Sequence, residues 1–424
     1  MTGSFRALCV AVSLAVQFAS DAVAQGPLTD TVRLSAVLRI AQDSNPMLRA
    51  GRSGAMAAAQ RVGPAGALPD PQLQFGLMNR MISEFGSTMD PMTMNQVQLM
   101  QMLPWPGKLG GARAAAGHTA AAAEADVGEQ TRMLLAQVRM VYYDLAYADR
   151  AVAVMRETRG LLRQYLDVST TMYAVGSAVQ QDVLRAQAEV ARMTEQITRM
   201  EQERLAGVAR LNAILGREAA TPIGAVELPE PAGSLAAVDT LIARALDGRP
   251  ALRAGAARVS AAEASLGAAR RELYPDFQVG IQYQDRPLYP DMISIMIGVN
   301  LPIFAGSKQL DARHEMAAMR DMSQAELLNL RNETTARVIA ARARAVQDLN
   351  LTRLYRTSIL PQTRAAVQAA LTSYRVGRVS FMQLVDNQMT VNRYETETYR
   401  LMADYQQALG ELEALAGGPV EGQP

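Results

Sequence analysis

A chain of 424 residues is two to three times the usual length of one domain, so there is material for a large core or for several repeats. Its 42 Lys and Arg against 41 Asp and Glu leave a formal charge of +1, which excludes the strongly basic balance of a nucleic-acid binder. One cysteine, Cys9, and two histidines exclude a disulfide framework and a Cys/His zinc site within one chain.

Taken from the N-terminus, Arg6 precedes an apolar run from Ala7 to Ala19, and Ala22-Val23-Ala24 follows ahead of Gln25. This is the small-x-small pattern of a signal-peptidase site, so residues 1–24 read as a secretory signal. Cys9 leaves with that segment, too early to become an acylated mature N-terminus. No later segment reads as a membrane-spanning helix. The longest uncharged apolar stretch, Met292 to Ser307, is 16 residues with Pro302 inside it, where ~20 are needed. An exported chain of this kind is either soluble or inserted through strands.

The chain repeats itself at a period near 200 residues. Asn45-Pro-Met-Leu-Arg-Ala-Gly51 matches Arg249-Pro-Ala-Leu-Arg-Ala-Gly255, and Leu68-Pro-Asp-Pro-Gln72 matches Tyr274-Pro-Asp-Phe-Gln278. Leu103-Pro104 then matches Leu301-Pro302, and Tyr173-Ala-Val-Gly176 matches Tyr374-Arg-Val-Gly377, with the same order in both halves. The division is therefore repeat 1 over 25–215, a Pro- and Gly-rich waist over 216–234, repeat 2 over 235–416, and a flexible tail over 417–424.

Each half has one grammar. In repeat 1, apolar Leu73, Phe75 and Leu77, then Val97, Leu99 and Leu103, predict strands at about 71–79 and 95–103. Residues 107–172 contain no proline and predict one helix of ~99 Å, which ends in a tip turn at 173–177. In repeat 2, a helix opens at Pro250 and closes near Glu272. Strands follow at about 276–284 (Phe277, Val279, Ile281, Tyr283) and 292–301 (Ile293, Ile295, Ile297, Val299, Leu301). A long helix spans about 307–373 before a tip turn at 374–378. Gly160 and Pro361 lie 201 residues apart at equivalent places, so both long helices are expected to change course ~20 Å before their tips.

Four strands are too few to close a transmembrane barrel, whereas three chains supply twelve. Trp105, Tyr274 and Phe304 beside the strand ends suit a membrane interface. Between Met78 and Met102, seven of 25 residues are methionine, and the thioether suits Cu(I) or Ag(I). Met89, Met92 and Met94 are the candidates for such contacts, and packing is the competing explanation. No catalytic set, phosphate loop or cofactor motif is recognisable, so the chain reads as neither an enzyme nor a cofactor carrier.

The duplicated plan, Leu103-Pro-Trp-Pro-Gly-Lys108, the paired Tyr-x-Val-Gly turns and Ile359-Leu-Pro361 together resemble TolC-type outer-membrane efflux factors over about residues 28–416. The resemblance implies a mainly α fold with a small membrane β part: a homotrimer whose 12-strand barrel in outer-membrane lipid continues as a 12-helix periplasmic barrel. It implies a passive exit duct, with soft metal ions among its candidate cargoes. A periplasmic coiled-coil scaffold or adaptor and a type I secretion outer-membrane channel are the alternatives. The implied partners are a periplasmic adaptor and an inner-membrane pump of the resistance-nodulation-division type. The adaptor would contact Val175, Gly176 and Ser177 at one tip, and Val376, Gly377 and Arg378 at the other. In that family, acids just beyond the second tip narrow the periplasmic entrance; here the matching positions are Gln383 and Asp386, so only one acid is kept. Their first-repeat equivalents are Asp182 and Arg185, and Arg185 is expected to offset the charge of Asp182 one helical turn away.

Overall fold

The computed structural model describes residues 31–80, 82, 92–231 and 233–420. The expected signal at 1–24, the candidate Met89 and residues 421–424 lie outside the described residues. In chain order the elements are α1 (Leu34–Ser44), α2 (Pro46–Gln60), α3 (Val62–Ala65), β1 (Gln72–Met78), β2 (Met94–Leu103), α4 (Lys108–Ala174) and α5 (Gln180–Ile214). The second half has α6 (Val238–Gly248), α7 (Pro250–Arg271), β3 (Asp276–Asp285), β4 (Met292–Asn300), α8 (Gln309–Leu354), α9 (Leu360–Arg375) and α10 (Phe381–Ala416).

The helices pack by a repeating seam. Along α4 the buried positions Leu134, Val138, Val141, Leu145, Ala148 and Val152 alternate in steps of four and three. In α10, Leu401, Tyr405, Ala408 and Leu412 do the same. A repeat of 3.5 residues keeps the seam on its neighbours only if the helices supercoil to the left, the packing mode of coiled coils. α4, 67 residues and ~100 Å long, is the spine. α2, α3, α5, α7 and α10 all pack along it. Among the described residues no helix is long and apolar enough to cross a membrane.

The four strands form one antiparallel sheet in the order β1-β2-β3-β4, leaving β1 and β4 as unpaired edges. Its register aligns apolar side chains in rows across all four strands: Leu73, Leu99, Ile281 and Ile295 in one row, and Phe75, Val97, Tyr283 and Ile293 in the next. Among the described residues nothing covers this face; Phe75, Ile295 and Ile297 are 76%, 74% and 77% exposed. The opposite face carries Gln74, Gln96, Gln98, Gln278 and Gln282. Strands of 7 to 10 residues reach ~23–33 Å, which matches the thickness of a hydrocarbon layer.

The two long helices differ at the equivalent Gly160 and Pro361, and the expectation of a loose tail is corrected. α4 runs through Gly160 without interruption, because an isolated glycine costs a helix only ~1 kcal/mol and the packed seam holds it. In repeat 2 the long helix is two helices joined by a π-turn over Tyr355–Ile359, closed by the Leu360 amide on the Tyr355 carbonyl. The wider turn relieves the clash of the Pro361 ring with the preceding turn. The tail expected to be loose from Gly417 is docked as far as Val420. That side chain is fully buried, its carbonyl accepts from the Ala236 amide at 3.1 Å, and Arg244 holds the Pro419 carbonyl.

The repeated Asn45-Pro46 and Arg249-Pro250 pairs open α2 and α7 with the same backbone and different chemistry. Asn45 caps its own helix, accepting from the Leu48 amide at 3.1 Å, and its amide donates to the Ile214 carbonyl. An arginine cannot accept, so Glu129 of α4 supplies the oxygen for the Ala251 amide and also binds Arg249 at 2.7 Å. Arg249 is buried and gives a further bond to Thr334 of α8, which ties α4, α7 and α8 together. Replacing Arg249 with Met strands Glu129 in a mostly buried place, so it should cost about 3–5 kcal/mol. Denaturant unfolding in detergent checks this, and a loss below about 1 kcal/mol would show that the pair is not a tie.

Candidate functional site

The far ends of the helices carry the tip turns. After α4, the Ser177 amide reaches back to the Met172 carbonyl at 2.8 Å; after α9, the Arg378 amide reaches the Ser373 carbonyl at 2.9 Å. Both turns close through a glycine with positive φ, Gly176 at 75° and Gly377 at 70°. This is the glycine-terminated helix stop in which any other residue would be strained. The turns expose apolar side chains, Val175 at 70% and Val376 at 66%, and a core lies directly beneath. There Tyr374 packs on Phe381 at 5.5 Å, with Leu162, Tyr165, Met193 and Leu384 around them.

The four entrance candidates sit within the first two turns of the returning helices: Asp182 and Arg185 on α5, Gln383 and Asp386 on α10. Arg185 does not offset Asp182 within the chain. It pairs with Glu189, one turn further on, at 3.2 Å, and Arg192 lies 3.5 Å from the same carboxylate. Glu189 is buried, so two half-exposed arginines hold a charge that packing has taken out of water. Asp182 is partly buried, and the loss of water raises its carboxyl above the ordinary range. Its charge also helps hold the Tyr374 hydroxyl up, behind the larger effect of burial on that tyrosine. Gln383 is exposed, and its backbone amide caps α10 through Ser380 at 3.3 Å. Asp386 is exposed and lines a groove of about 700 Å³ between α5 and α10, opposite Arg192 and Glu195, with Met155 of α4 also lining it.

Residue pairing along the helices was less readable than residue position. Glu189 stands four residues from Arg185, the helical ion-pair spacing that identifies it as the arginine's partner. The methionine candidates fare similarly. Met92 and Met94 lie at the loop end of the sheet, Met94 in register with Met78. Met100, Met102, Met292 and Met296 join those two strand residues on the glutamine face. The strand period could have found them. Among the described residues no cluster of three or more His, Cys, Asp or Glu could hold a metal ion.

A second electrostatic site lies further up the helices. Asp348 of α8 faces Asp404 of α10; burial, then the Asp404 carboxylate, pushes Asp348 up to about 6, against the opposing effects of Arg344 and Arg400. The folded chain therefore binds this proton more tightly than the unfolded chain, whose carboxyl titrates at the ordinary 3.8. Stability is lost as pH rises through that interval and the penalty is complete above it. Asp348→Asn should melt at a higher temperature than the parent at pH 7.5, and the difference should vanish near pH 4. Thermal melts at the two pH values test this; a gap that persists at pH 4 would assign the effect to packing.

The comparisons agree with this geometry. The chain matches the family described as outer membrane efflux protein over residues 37–217 and 241–418, one match in each half. The cobalt-zinc-cadmium resistance protein CzcC of Cupriavidus metallidurans is 22% identical over 404 residues, covering 93% of this chain and 91% of that one. The pyoverdine export outer membrane protein OpmQ of Pseudomonas putida is 25% identical over 264 residues, and the match spans about half of that protein, 53%, and 57% of this chain. Among solved structures, a membrane protein from Pseudomonas aeruginosa superposes with a TM-score of 0.80 at 20% identity, covering 92% of this chain and 91% of that one. The outer membrane protein VceC of Vibrio cholerae gives 0.78 at 18% identity, covering 92% and 97%. An exposed apolar sheet face, a glutamine-lined opposite face, long supercoiled helices and two matched halves converge on one conclusion: the chain belongs to the outer membrane efflux protein family and is an outer-membrane efflux channel with a long periplasmic helical part.

Proposed function

We propose that the chain forms a homotrimer, the exit duct of a tripartite efflux pump, which passes cargo from a pump and adaptor across the periplasm and outer membrane. The observation that carries this reading is the four-stranded sheet with a bare apolar face and two unpaired edges. In lipid every backbone amide and carbonyl has to be bonded, so open edges require closure by further strands. Three copies give twelve strands, within the range of known barrels. The protein should stay with the outer membrane through a high-salt wash and run as a trimer in detergent. Recovery of a monodisperse monomer without detergent would overturn the reading.

The tips supply the other end of the path. Val175 and Val376, each beside a glycine, offer small apolar knobs backed by a rigid core, a surface suited to the helical hairpin of an adaptor. An inner-membrane pump of the resistance-nodulation-division type would load the duct through that adaptor. Within the entrance, Asp386 is the exposed acid and threefold symmetry would gather it into a ring. In planar bilayers Asp386→Ala should weaken block by divalent cations added from the tip side. Unchanged block would place the constriction elsewhere.

Soft metal ions are the cargo class that the inner face of the sheet favours. Met78, Met94, Met100, Met102, Met292 and Met296 stand on the glutamine face, where thioethers meet what passes rather than lipid. The resemblance to CzcC, named for resistance to cobalt, zinc and cadmium, points to metals as well. Deleting the gene should sensitise cells to copper or silver more than to lipophilic drugs. Replacing Met89, Met92 and Met94 with Leu keeps the apolar volume and removes sulfur, so it should reduce that resistance at equal protein level. Full resistance in the triple variant would leave these side chains a packing role.

A further inference from the structure

Only two of the 42 basic residues are lysines, Lys108 and Lys308, and they occupy equivalent places in the two repeats, 200 residues apart. Each stands where a strand hands over to a long helix, β2 to α4 and β4 to α8. Arginine serves everywhere else, so the placement calls for a compact ammonium with three donors.

The environment of Lys108 shows what that ammonium does. Its Nζ lies 2.9 Å from Asp276 Oδ1 and 3.2 Å from Glu272 Oε2, and donates to the Tyr274 carbonyl at 3.1 Å. Three donors meet three acceptors on the segment that leads into β3. Asp276 also accepts the Trp105 amide at 2.8 Å, and the Trp105 ring stacks on Tyr274 at 5.0 Å. Lys108 is buried by this arrangement. The end of β2 is thus clamped to the start of β3, the strand beside it.

Lys308 has the same position after β4, but β4 is a sheet edge and, among the described residues, no strand lies beyond it. The repeat counterpart of Asp276 is Asp70, 206 residues earlier, at the start of β1, the opposite edge. Both Lys308 and Asp70 are exposed, and neither makes an ion pair among the described residues. The apolar partners are bare as well: Leu68, the counterpart of Tyr274, is 53% exposed, and Ile303 and Phe304, beside the counterpart of Trp105, are 77% and 72% exposed. The chain's own Asp276 lies across a small cavity from Lys308, but its carboxylate is already held by Lys108 and the Trp105 amide.

We propose that Lys308 of one protomer binds Asp70 of the next copy of the chain, with Ile303 and Phe304 covering its Leu68. One clamp closes within the chain between β2 and β3, and its twin closes between chains where β4 meets β1. This rests on the homotrimer of the preceding section and names the side chains that select the neighbour. The turn from Leu301 to Lys308 is two residues longer than that from Leu103 to Lys108, which gives Lys308 additional reach across a boundary between chains.

Charge reversal tests it in the full-length protein purified in detergent. Asp70→Lys and Lys308→Glu should each lower the temperature at which the trimer dissociates, and the double variant should return it towards the parent value. Single variants that dissociate like the parent would overturn the clamp. A double variant no better than the worse single variant would do the same. A second measurement separates the clamp from the trimer. With Cys9 the only native cysteine, Asp70→Cys with Lys308→Cys joined by a bis-maleimide with an arm of a few ångströms should give covalent dimers and trimers. If the parent is trimeric and the product is only monomer, the clamp fails and the trimer stands. If the parent itself is not trimeric, the reading beneath it fails.

Discussion

An antiparallel sheet of four strands cannot end in lipid, and most of this structure follows from that constraint. The apolar rows from β1 to β4 leave one face with nowhere to go but hydrocarbon, while the glutamines opposite require water. One chain satisfies neither edge, so the unit of function is larger than the chain. The long helices inherit the same logic. They leave the sheet in pairs fixed by the strand ends, and the 3.5-residue seam of α4 and α10 winds them round their neighbours instead of collapsing them into a compact core.

Duplication solves the same local problem twice with different atoms. Asn45 caps α2 with its own side chain, whereas at Arg249 the acceptor comes from Glu129 on another helix, so a local cap has become a tie between three helices. The two long helices diverge likewise, with α4 continuous through Gly160 and the second-repeat helix widened by one π-turn before Pro361. At the openings of α2 and α7 the backbone geometry is common to both halves, and side-chain chemistry is free to vary where another element can supply the missing acceptor.

What was legible in the sequence was whatever depends on near neighbours. Alternation of period two marks β3 and β4, the absence of proline marks α4, and the Tyr-x-Val-Gly pairs mark turns whose glycines need positive φ. What was not legible depends on which distant elements meet. Lys108 lies 168 residues from Asp276, and their contact exists only because β2 pairs with β3. Val420 looked like loose tail because its burial is conferred by α6, α8 and α10 together. Arg185 had two acids within reach on its helix, and packing rather than spacing decided between them: Glu189 is drawn into the seam and must be neutralised there.

That choice bears on the proposed entrance. Arg185 and Arg192 are both committed to Glu189, so the charge left at the start of the two returning helices resides on Asp182 and Asp386. These two acids are not equivalent. Asp182 is partly buried near Tyr374, where the ionised form is disfavoured. Asp386 is exposed and faces an open groove, where its carboxylate keeps its water. With the neutral Gln383 beside Asp386, the start of α10 carries one exposed acid and a weaker field than two exposed acids per helix would give. In the proposed entrance, the cores packed under the tips would therefore do more to set the width than repulsion between like charges.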